Sequence, residues 1–255
     1  MVMSLEEFAI KKQKELWNLW DAELRENFPL GFKMTTSPVL DSPKVIIIGR
    51  NPGNSEDPPH SHMEQFEPPN QSFGFSQEHD YRPGGAGYTI ANEIRNLVFT
   101  GQEDLLNQTI ETNLDFLRTD DWDDIVEGLG AIEKDGREDV VEDYRSICRT
   151  TIRRFIEQGD PDVVISYIGN RKDNYPLDEI ITYIPDEPTC NERYSIERGN
   201  RHKDGSYHTR EYRVTHAEFD TCKFIGITPH LSNPNIPTPV RKVFKQNIPP
   251  KLPDS

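Results

Sequence analysis

The sequence predicts an α/β protein, a three-layer αβα sandwich around a short central sheet of four parallel strands. Residues 44–48 read Lys-Val-Ile-Ile-Ile, and residues 162–169 and 222–228 are similar apolar runs. Strands that helices cover on both faces have this continuous apolar character. A helical pattern at 137–158 stops at Gly159-Asp160-Pro161, directly before one of these runs. A helix followed so closely by a strand implies a βαβ unit with a right-handed crossover.

The remaining elements follow from local patterns along the chain. Residues 4–28 predict an N-terminal helix, because Ser4 can cap it and large apolar residues recur at helical spacing. A second helix is predicted at 89–99, the fourth strand at 107–117, a hairpin within 207–219 and a short basic helix at 240–246. We expect one domain over residues 1–255, with its core at about 40–236 and a proline-rich tail at 237–255.

Polar residues follow three of the four predicted strands. The first strand runs into Gly49-Arg50-Asn51-Pro52-Gly53, where the glycines and the proline make a turn. The polar clusters after the other two strands are Asn113 with Asp115, and His230 with Ser232. If the strands are parallel, the clusters meet at their carboxyl edge, where open α/β sheets bind ligands. Two carboxamides, an imidazole and a nearby aromatic ring suit a flat hydrogen-bonding ligand, such as a nucleobase.

The composition bears on the cellular location of the protein and on the metal sites that it can form. The chain has no apolar run of the roughly 18 residues that a membrane span needs, and its first residues lack the apolar core of a secretory signal. Cys148, Cys190 and Cys222 lie far apart and form no C-x-x-C motif. We therefore expect a reduced, cytoplasmic protein with no zinc or iron–sulfur site, no membrane partner and, by default, a monomeric state.

Charge is unevenly distributed along the chain. The formal net charge is −15, which by itself disfavours non-specific binding to nucleic acid. Residues 103–143 hold 15 acidic and three basic residues, whereas residues 191–213 hold six basic and four acidic residues and two histidines. A bipolar molecule could turn its less negative side to a polyanion. The acidic block is at least as well explained as a solvated face.

Several of these motifs resemble the uracil-DNA glycosylase superfamily. Gly49-Arg-Asn-Pro-Gly53 is similar to the first motif of its mismatch-specific and single-strand-selective branches, and His230-Leu-Ser-Asn-Pro-Asn235 is similar to the second motif. Thr112-Asn-Leu-Asp-Phe-Leu-Arg118 resembles a strand end of the iron–sulfur branch, and Gly74-Phe75-Ser76 resembles the segment that stacks on a flipped base. The likeness spans roughly residues 44–235, in the order in which the family has these motifs.

The resemblance implies a function and a set of roles. The chain would remove uracil or a related damaged base from DNA by hydrolysing the N-glycosidic bond, without a metal or cofactor. Asn51 would hold the attacking water and His230 would stabilise the leaving base. The base would contact Gly49, Arg50, Phe75 and Asn113, and the DNA would contact Ser55, Ser232, Asn233, Asn235 and Ile236.

Simpler readings of these residues remain open. Asn51 and Asn113 also suit strand-end turns, Phe75 and its competitor Phe73 suit the core, and Ile236 suits loop packing. A histidine that follows a strand is by itself more often a structural or surface residue.

The sequence also departs from the family pattern. Gly53 stands where the uracil-strict branch has a tyrosine, so larger substituents at C5 of the base should be tolerated. Leu231 replaces the usual proline of the second motif, and an alternative register would put Thr228 in the place of the histidine. Two alternatives follow. One is a non-catalytic nucleic-acid, nucleotide or protein-binding module on the same fold, and the other is a glycosylase for a deaminated purine.

Overall fold

A computed structural model describes residues 3–53, 61–67, 71–82, 89–97, 99, 102–168, 177–201, 207–228, 242–243 and 246. The helices are α1 (Leu5–Leu19), α2 (Thr89–Leu97), α3 (Glu103–Leu106), α4 (Trp122–Lys134), α5 (Glu138–Gly159) and α6 (Leu177–Ile181). The strands are β1 (Val45–Gly49), β2 (Thr109–Asn113), β3 (Val163–Ser166), β4 (Cys190–Arg201), β5 (Tyr207–Glu218) and β6 (Lys223–Thr228).

All six strands join one sheet, in the order β2-β1-β3-β6-β5-β4. The four strands β2, β1, β3 and β6 are parallel, and they lie at the four positions where the sequence predicts strands. The prediction of a four-stranded sheet is nevertheless wrong, because β5 and β4 extend it with antiparallel pairing. The hairpin also differs from its prediction: residues 207–218 form one strand, and its hairpin partner is β4.

Helices cover the central strands on both faces, so the layer arrangement is that of an α/β sandwich. The face that we call the α5 face packs Ile46, Ile48, Ile110 and Val164 against residues of α1, α4 and α5. The opposite face, the α2 face, packs Val45, Ile47, Val163 and Ile165 against Ala91 and Ile94 of α2 and against Leu105 and Leu106 of α3. Residues 45–48 of β1 are wholly buried, as their continuous apolar run predicts.

The N-terminal helix begins as predicted and ends earlier. Ser4 and Glu7 form a reciprocal capping box at its start, which satisfies two amide donors of the first turn. After Leu19 the backbone continues as one π-helical turn over Trp20–Leu24. Trp20 is buried there and its indole N–H donates to the Phe28 carbonyl at 2.8 Å. The aromatic spacing therefore predicts the buried face correctly, while the predicted end at residue 28 is too late.

Helix α4 has no counterpart among the predicted elements. It lies in the acidic block of residues 103–143, which on sequence alone is at least as well explained as a solvated face. Asp121 caps it and Asp124 completes a capping box, so that two of the acidic residues serve the helix start. Its buried residues are Ile125, Leu129 and Ile132, a narrow apolar stripe between charged positions. These three residues belong to the hydrophobic core on the α5 face of the sheet. Within the described residues, no helix is long and apolar enough to cross a membrane.

Two glycines of α4 offer a matched test of packing against the N-terminal segment. A Cβ on Gly128 would lie 2.6 Å from Cζ of Phe28, which is 1 % exposed, whereas a Cβ on Gly130 would meet no atom within 4 Å. We expect Gly128→Ala to lower the free energy of unfolding by about 1–3 kcal/mol through overpacking. Gly130→Ala should raise it by up to about 1 kcal/mol through helix propensity. Urea unfolding of both variants measures the difference, and equal effects would contradict it.

A candidate binding site at the carboxyl edge of the sheet

The ends of β1 and β2 lie side by side at the carboxyl edge of the sheet. Gly49 and Asn113 are register partners, and the pairing continues past them. The amide of Leu114 donates to the Gly49 carbonyl at 2.8 Å, and the amide of Asp115 donates to the Arg50 carbonyl at 2.9 Å. The structure thus brings together the polar clusters that follow these two strands.

Gly49 is a point of close approach between two polar side chains. A Cβ at this position would lie 2.5 Å from Oδ1 of Asn113 and 2.7 Å from Oη of Tyr167. Both contacts are far closer than a real Cβ tolerates, so the site needs a residue without a side chain here. Tyr167 follows β3, on the other side of β1 from β2, and its hydroxyl donates to Oε1 of Glu111 at 3.1 Å. Its side chain therefore spans β1 over Gly49.

Asn113 is a buried amide at this edge. Its side chain is 6 % exposed, and no described residue makes a hydrogen bond with it. An amide can make four hydrogen bonds, and burying it without partners costs free energy. An amide held beside Gly49 in this way is equipped to pair with a donor and an acceptor of a bound molecule.

Asn51 has a fixed amide orientation. Its Nδ2 donates to Oγ1 of Thr119 at 3.1 Å and to the Pro52 carbonyl at 3.3 Å. The Thr119 hydroxyl donates its single proton to the Asp121 carbonyl at 2.6 Å, so towards Asn51 it acts only as an acceptor. Because both neighbours accept, the Asn51 nitrogen must face them. Its Oδ1 has no partner within the described part of the chain and remains able to accept a hydrogen bond.

Arg50 and Arg118 brace the turn that carries Asn51. Nε of Arg50 donates to the Ile168 carbonyl at 2.6 Å, and its guanidinium lies 5.2 Å from the centre of the Trp122 ring. Nε of Arg118 donates to the Gly53 carbonyl at 3.3 Å. These contacts tie the turn to the ends of β3 and β2. A contact of Arg50 with a base stays a prediction.

Two titratable groups with shifted pKa, Glu111 and His79, are buried on the α2 face beneath Gly49. Burial raises the pKa of Glu111 to about 7, and the hydrogen bond from Tyr167 opposes part of that rise. Burial lowers the pKa of His79 to about 4, against the pull of Asp80. Nδ1 of His79 accepts from the Tyr81 amide at 3.1 Å, so Nε2 carries the proton and lies 3.8 Å from Oε2 of Glu111. With His79 neutral at pH 7, this contact is not an ion pair.

A second buried carboxyl lies behind the edge on the α5 face. Asp115 accepts from Nε1 of Trp122 at 2.9 Å and from the Tyr144 hydroxyl at 3.4 Å. Burial raises its pKa to about 6, and the two hydrogen bonds lower it in part. It lines an open cavity of about 340 Å³ between α4 and α5, together with Arg145 and Arg149. The Tyr144 hydroxyl donates to Asp115 and accepts from the Phe116 amide. Asp115 therefore helps to anchor the segment after β2.

Phe75 lies apart from the paired strand ends. Both amide atoms of Gln13 bond the backbone of Gly74, which holds this segment against α1. Phe75 lines a cavity of about 420 Å³ near the outer edge of β2, and none of Gly49, Asn51 and Asn113 lines it. Phe73 stacks on Phe66 at 5.2 Å, in the packing role that the simpler reading gives it. Stacking of Phe75 on a base stays a prediction that this arrangement does not support.

The remaining predicted site residues are His230, Ser55, Ser232, Asn233, Asn235 and Ile236. All six lie outside the described residues, so their roles stay predictions. His230 comes two residues after Thr228, the last residue of β6, whose carboxyl end lies at the same edge as those of β1 and β2. The described residues contain no group of three or more His, Cys, Asp or Glu side chains that could hold a metal ion.

Sequence reasoning missed Glu111, Tyr167 and Thr119. The sequence does carry a signal for Glu111, because it is an acidic residue within a predicted strand of a buried sheet. Tyr167 and Thr119 carry no such signal, because their contacts join β3 to β2 and the segment after β2 to the first turn. No protein-family model matches this chain, and no curated protein matches it.

Gly49→Ala should disturb the site and the fold together. We expect a loss of about 1–3 kcal/mol in the free energy of unfolding, because the new Cβ displaces Asn113 and Tyr167. The matched control is Gly53→Ala, whose Cβ would meet no atom within 4 Å. Chemical denaturation of the two variants against the parent checks this, and a destabilisation by Gly53→Ala as large as that by Gly49→Ala would contradict it.

Glu111 should make the protein less stable as the pH rises. Its pKa is about 7 in the folded protein against an ordinary 4.5, so between these values the folded chain binds more protons than the unfolded chain. Stability therefore falls as the pH rises from about 4.5 to about 7 and is level above it. The glutamine of Glu111→Gln does not titrate, so this variant does not lose stability in that way. Its free energy of unfolding, relative to that of the parent, should rise between about pH 4.5 and about pH 7. Urea midpoints at pH 4, 6 and 8 measure it. A difference between the two proteins that stays constant with pH would be the contrary result.

Proposed function

We propose that this protein is a DNA glycosylase, on a uracil-DNA glycosylase-like fold, that hydrolyses the N-glycosidic bond of uracil or a related damaged base. The observation that carries the proposal is the pair of amides beside Gly49. Asn51 has its nitrogen anchored, and among the described residues neither its oxygen nor the buried amide of Asn113 has a hydrogen-bond partner. A hydrolytic site needs a group that orients water, and a base-reading site needs a group that pairs with a base edge.

The fixed orientation of Asn51 suits the positioning of water. Its Oδ1 can accept a hydrogen bond from a water molecule and direct the water oxygen at C1′ of the sugar. An amide is too weak a base to remove a proton fully, so the bond to the base must break with little help from the nucleophile. The C1′–N bond breaks, and the base leaves with its electron pair. The water oxygen bonds to C1′ and releases one proton to solvent, while the departing base takes up one proton from solvent. Negative charge on the leaving base then needs a hydrogen-bond donor, the role proposed for His230.

Asn113 suits the reading of a base because one carboxamide offers a donor and an acceptor side by side. It can donate to a ring carbonyl and accept from the neighbouring ring N–H, the pattern shared by uracil and by deaminated purines. A base held there must leave its stack, which costs a few kcal/mol and is least costly for a mispaired or damaged base. Burial of the amide supports selectivity, because a ligand without the matching edge would leave it unpaired.

A strand-cleavage assay tests the proposal directly. Full-length protein would be incubated with end-labelled oligonucleotides that carry one uracil, single-stranded or opposite guanine or adenine, and then treated with alkali. We expect cleavage by the parent, and losses of about 10²–10⁴-fold for Asn51→Ala and His230→Ala. Hypoxanthine and xanthine substrates extend the assay to deaminated purines. If none of these substrates loses its base at any salt concentration, the proposal is rejected. That result would favour the non-catalytic binding module instead.

Thr119 supplies a further test, because its hydroxyl accepts the hydrogen bond that orients the Asn51 amide, in addition to donating to the Asp121 carbonyl. Thr119→Val removes the acceptor that fixes the amide, whereas Thr119→Ser retains a hydroxyl. We expect kcat to fall roughly fivefold in the valine variant, since one hydrogen bond is worth about 1 kcal/mol. KM should change little, and the serine variant should recover most of the rate. Single-turnover kinetics distinguishes these outcomes, and equal rates for the valine and serine variants would remove Thr119 from the mechanism.

A further inference from the structure

The hairpin of β4 and β5 extends beyond the rest of the sheet. Within the described part of the chain, β5 pairs with β6 from Arg213 to Glu218, and Arg213 is the register partner of Thr228 at the carboxyl end of β6. Among the same residues, 207–212 of β5 pair with 196–201 of β4 alone. We call these two segments the ribbon. Because β5 runs antiparallel to β6, the ribbon lies past the carboxyl edge, where Gly49, Asn51 and Asn113 also lie.

The ribbon is long enough to form a surface of its own. Six residues of antiparallel strand span about 20 Å at roughly 3.4 Å per residue. A two-stranded hairpin that stands alone is only marginally stable in water, and β5 anchors this one through its pairing with β6. A segment of this length beside a binding edge can contact a partner that extends well beyond one small molecule.

The backbone register separates the residues of the ribbon into two unlike faces. Opposed residues share a face, and the face alternates along each strand. One face holds the pairs Ile196 with Tyr212, Arg198 with Arg210, and Asn200 with His208. The other face holds Glu197 with Glu211, Gly199 with Thr209, and Arg201 with Tyr207. The first of these, which we call the arginine face, has no acidic residue at the described positions.

The arginine face is continuous with the side of the sheet that holds the candidate site. Val214 pairs with Ile227, and both belong to the core of the α2 face. Residues 212, 210 and 208 follow Val214 at intervals of two, so they are on the same side. Tyr167, which spans Gly49, belongs to that core as well. The arginine face and the site thus share both an edge and a side of the sheet.

The charge pattern of the ribbon points to an anionic partner. The register contains two directly opposed pairs of like charge, Arg198 with Arg210 and Glu197 with Glu211. The first pair places two arginines on the arginine face of a protein whose net charge is −15. Basic residues gathered on one face suit contact with an extended anion.

We propose that the arginine face of the ribbon is a nucleic-acid-binding surface that holds the phosphate backbone of the strand whose base enters the site. The identity of the partner rests on the proposed function. A two-stranded ribbon has the width to enter a DNA groove, and arginine contributes phosphate contacts that carry no sequence preference. The tyrosine and histidine of the same face also suit stacking on bases of a single strand.

Salt-dependent binding tests the proposal with a matched control. Fluorescence anisotropy would follow labelled single-stranded and duplex oligonucleotides across a series of salt concentrations. The test variant is Arg198→Ala/Arg210→Ala, and the control is Arg201→Ala, an arginine of the ribbon on the opposite face. For two lost phosphate contacts, the slope of log K against log salt should become shallower by roughly 1.4 for single strands and 1.8 for duplex. Affinity at low salt should fall at least tenfold, the control should keep the parent slope, and thermal unfolding verifies folding.

The outcomes separate this inference from the proposed function. An unchanged slope in the double variant, an equal loss in the Arg201→Ala control, or no DNA binding by the parent at low salt would each overturn the ribbon surface. Base release by the parent that is undiminished in the double variant would overturn it too, while leaving the glycosylase proposal intact. A shallower slope in the double variant, with no base release by the parent, would support the ribbon and reject the glycosylase.

Discussion

The candidate site depends on the absence of a side chain at Gly49. β1 lies between β2 and β3, so a residue after β3 can reach β2 only by passing over β1. The Tyr167 side chain does so at Gly49, and its hydroxyl bonds Glu111. Asn113 approaches the same point from β2. One glycine therefore determines where two side chains from different strands meet.

Burial disfavours charge on the polar groups around this point. Glu111 and His79 are both buried, and burial disfavours the charged form of each. Neutral groups can share the interior of the α2 face without the desolvation cost of an ion pair. Such a network holds its members in place by direction-dependent hydrogen bonds, which apolar packing alone cannot do.

The sequence predicts the parallel part of the fold well because burial on both faces leaves a direct mark on a strand. The runs at 162–169 and 222–228 contain β3 and β6, and the run at 44–48 covers β1 except for Gly49. The strand ends were also predictable, since parallel strands bring their carboxyl ends to one edge. The hairpin of β4 and β5 was harder to recognise because its residues alternate between polar types on two faces, without an apolar run. Contacts such as Asn51 with Thr119 join residues far apart in sequence and leave no local pattern.

The sheet order also has a consequence for how the chain assembles. β4, β5 and β6 follow one another in sequence and are neighbours in the sheet with antiparallel pairing, so these three strands form a meander. Its pairings close short loops and need little loop-closure entropy. β1, β2 and β3 are each separated by long crossovers, and β1 must join two strands that are distant in sequence. The meander can thus acquire its pairing locally and then dock as a unit through the single β6–β3 seam, which aligns the ribbon with the parallel strands in one step.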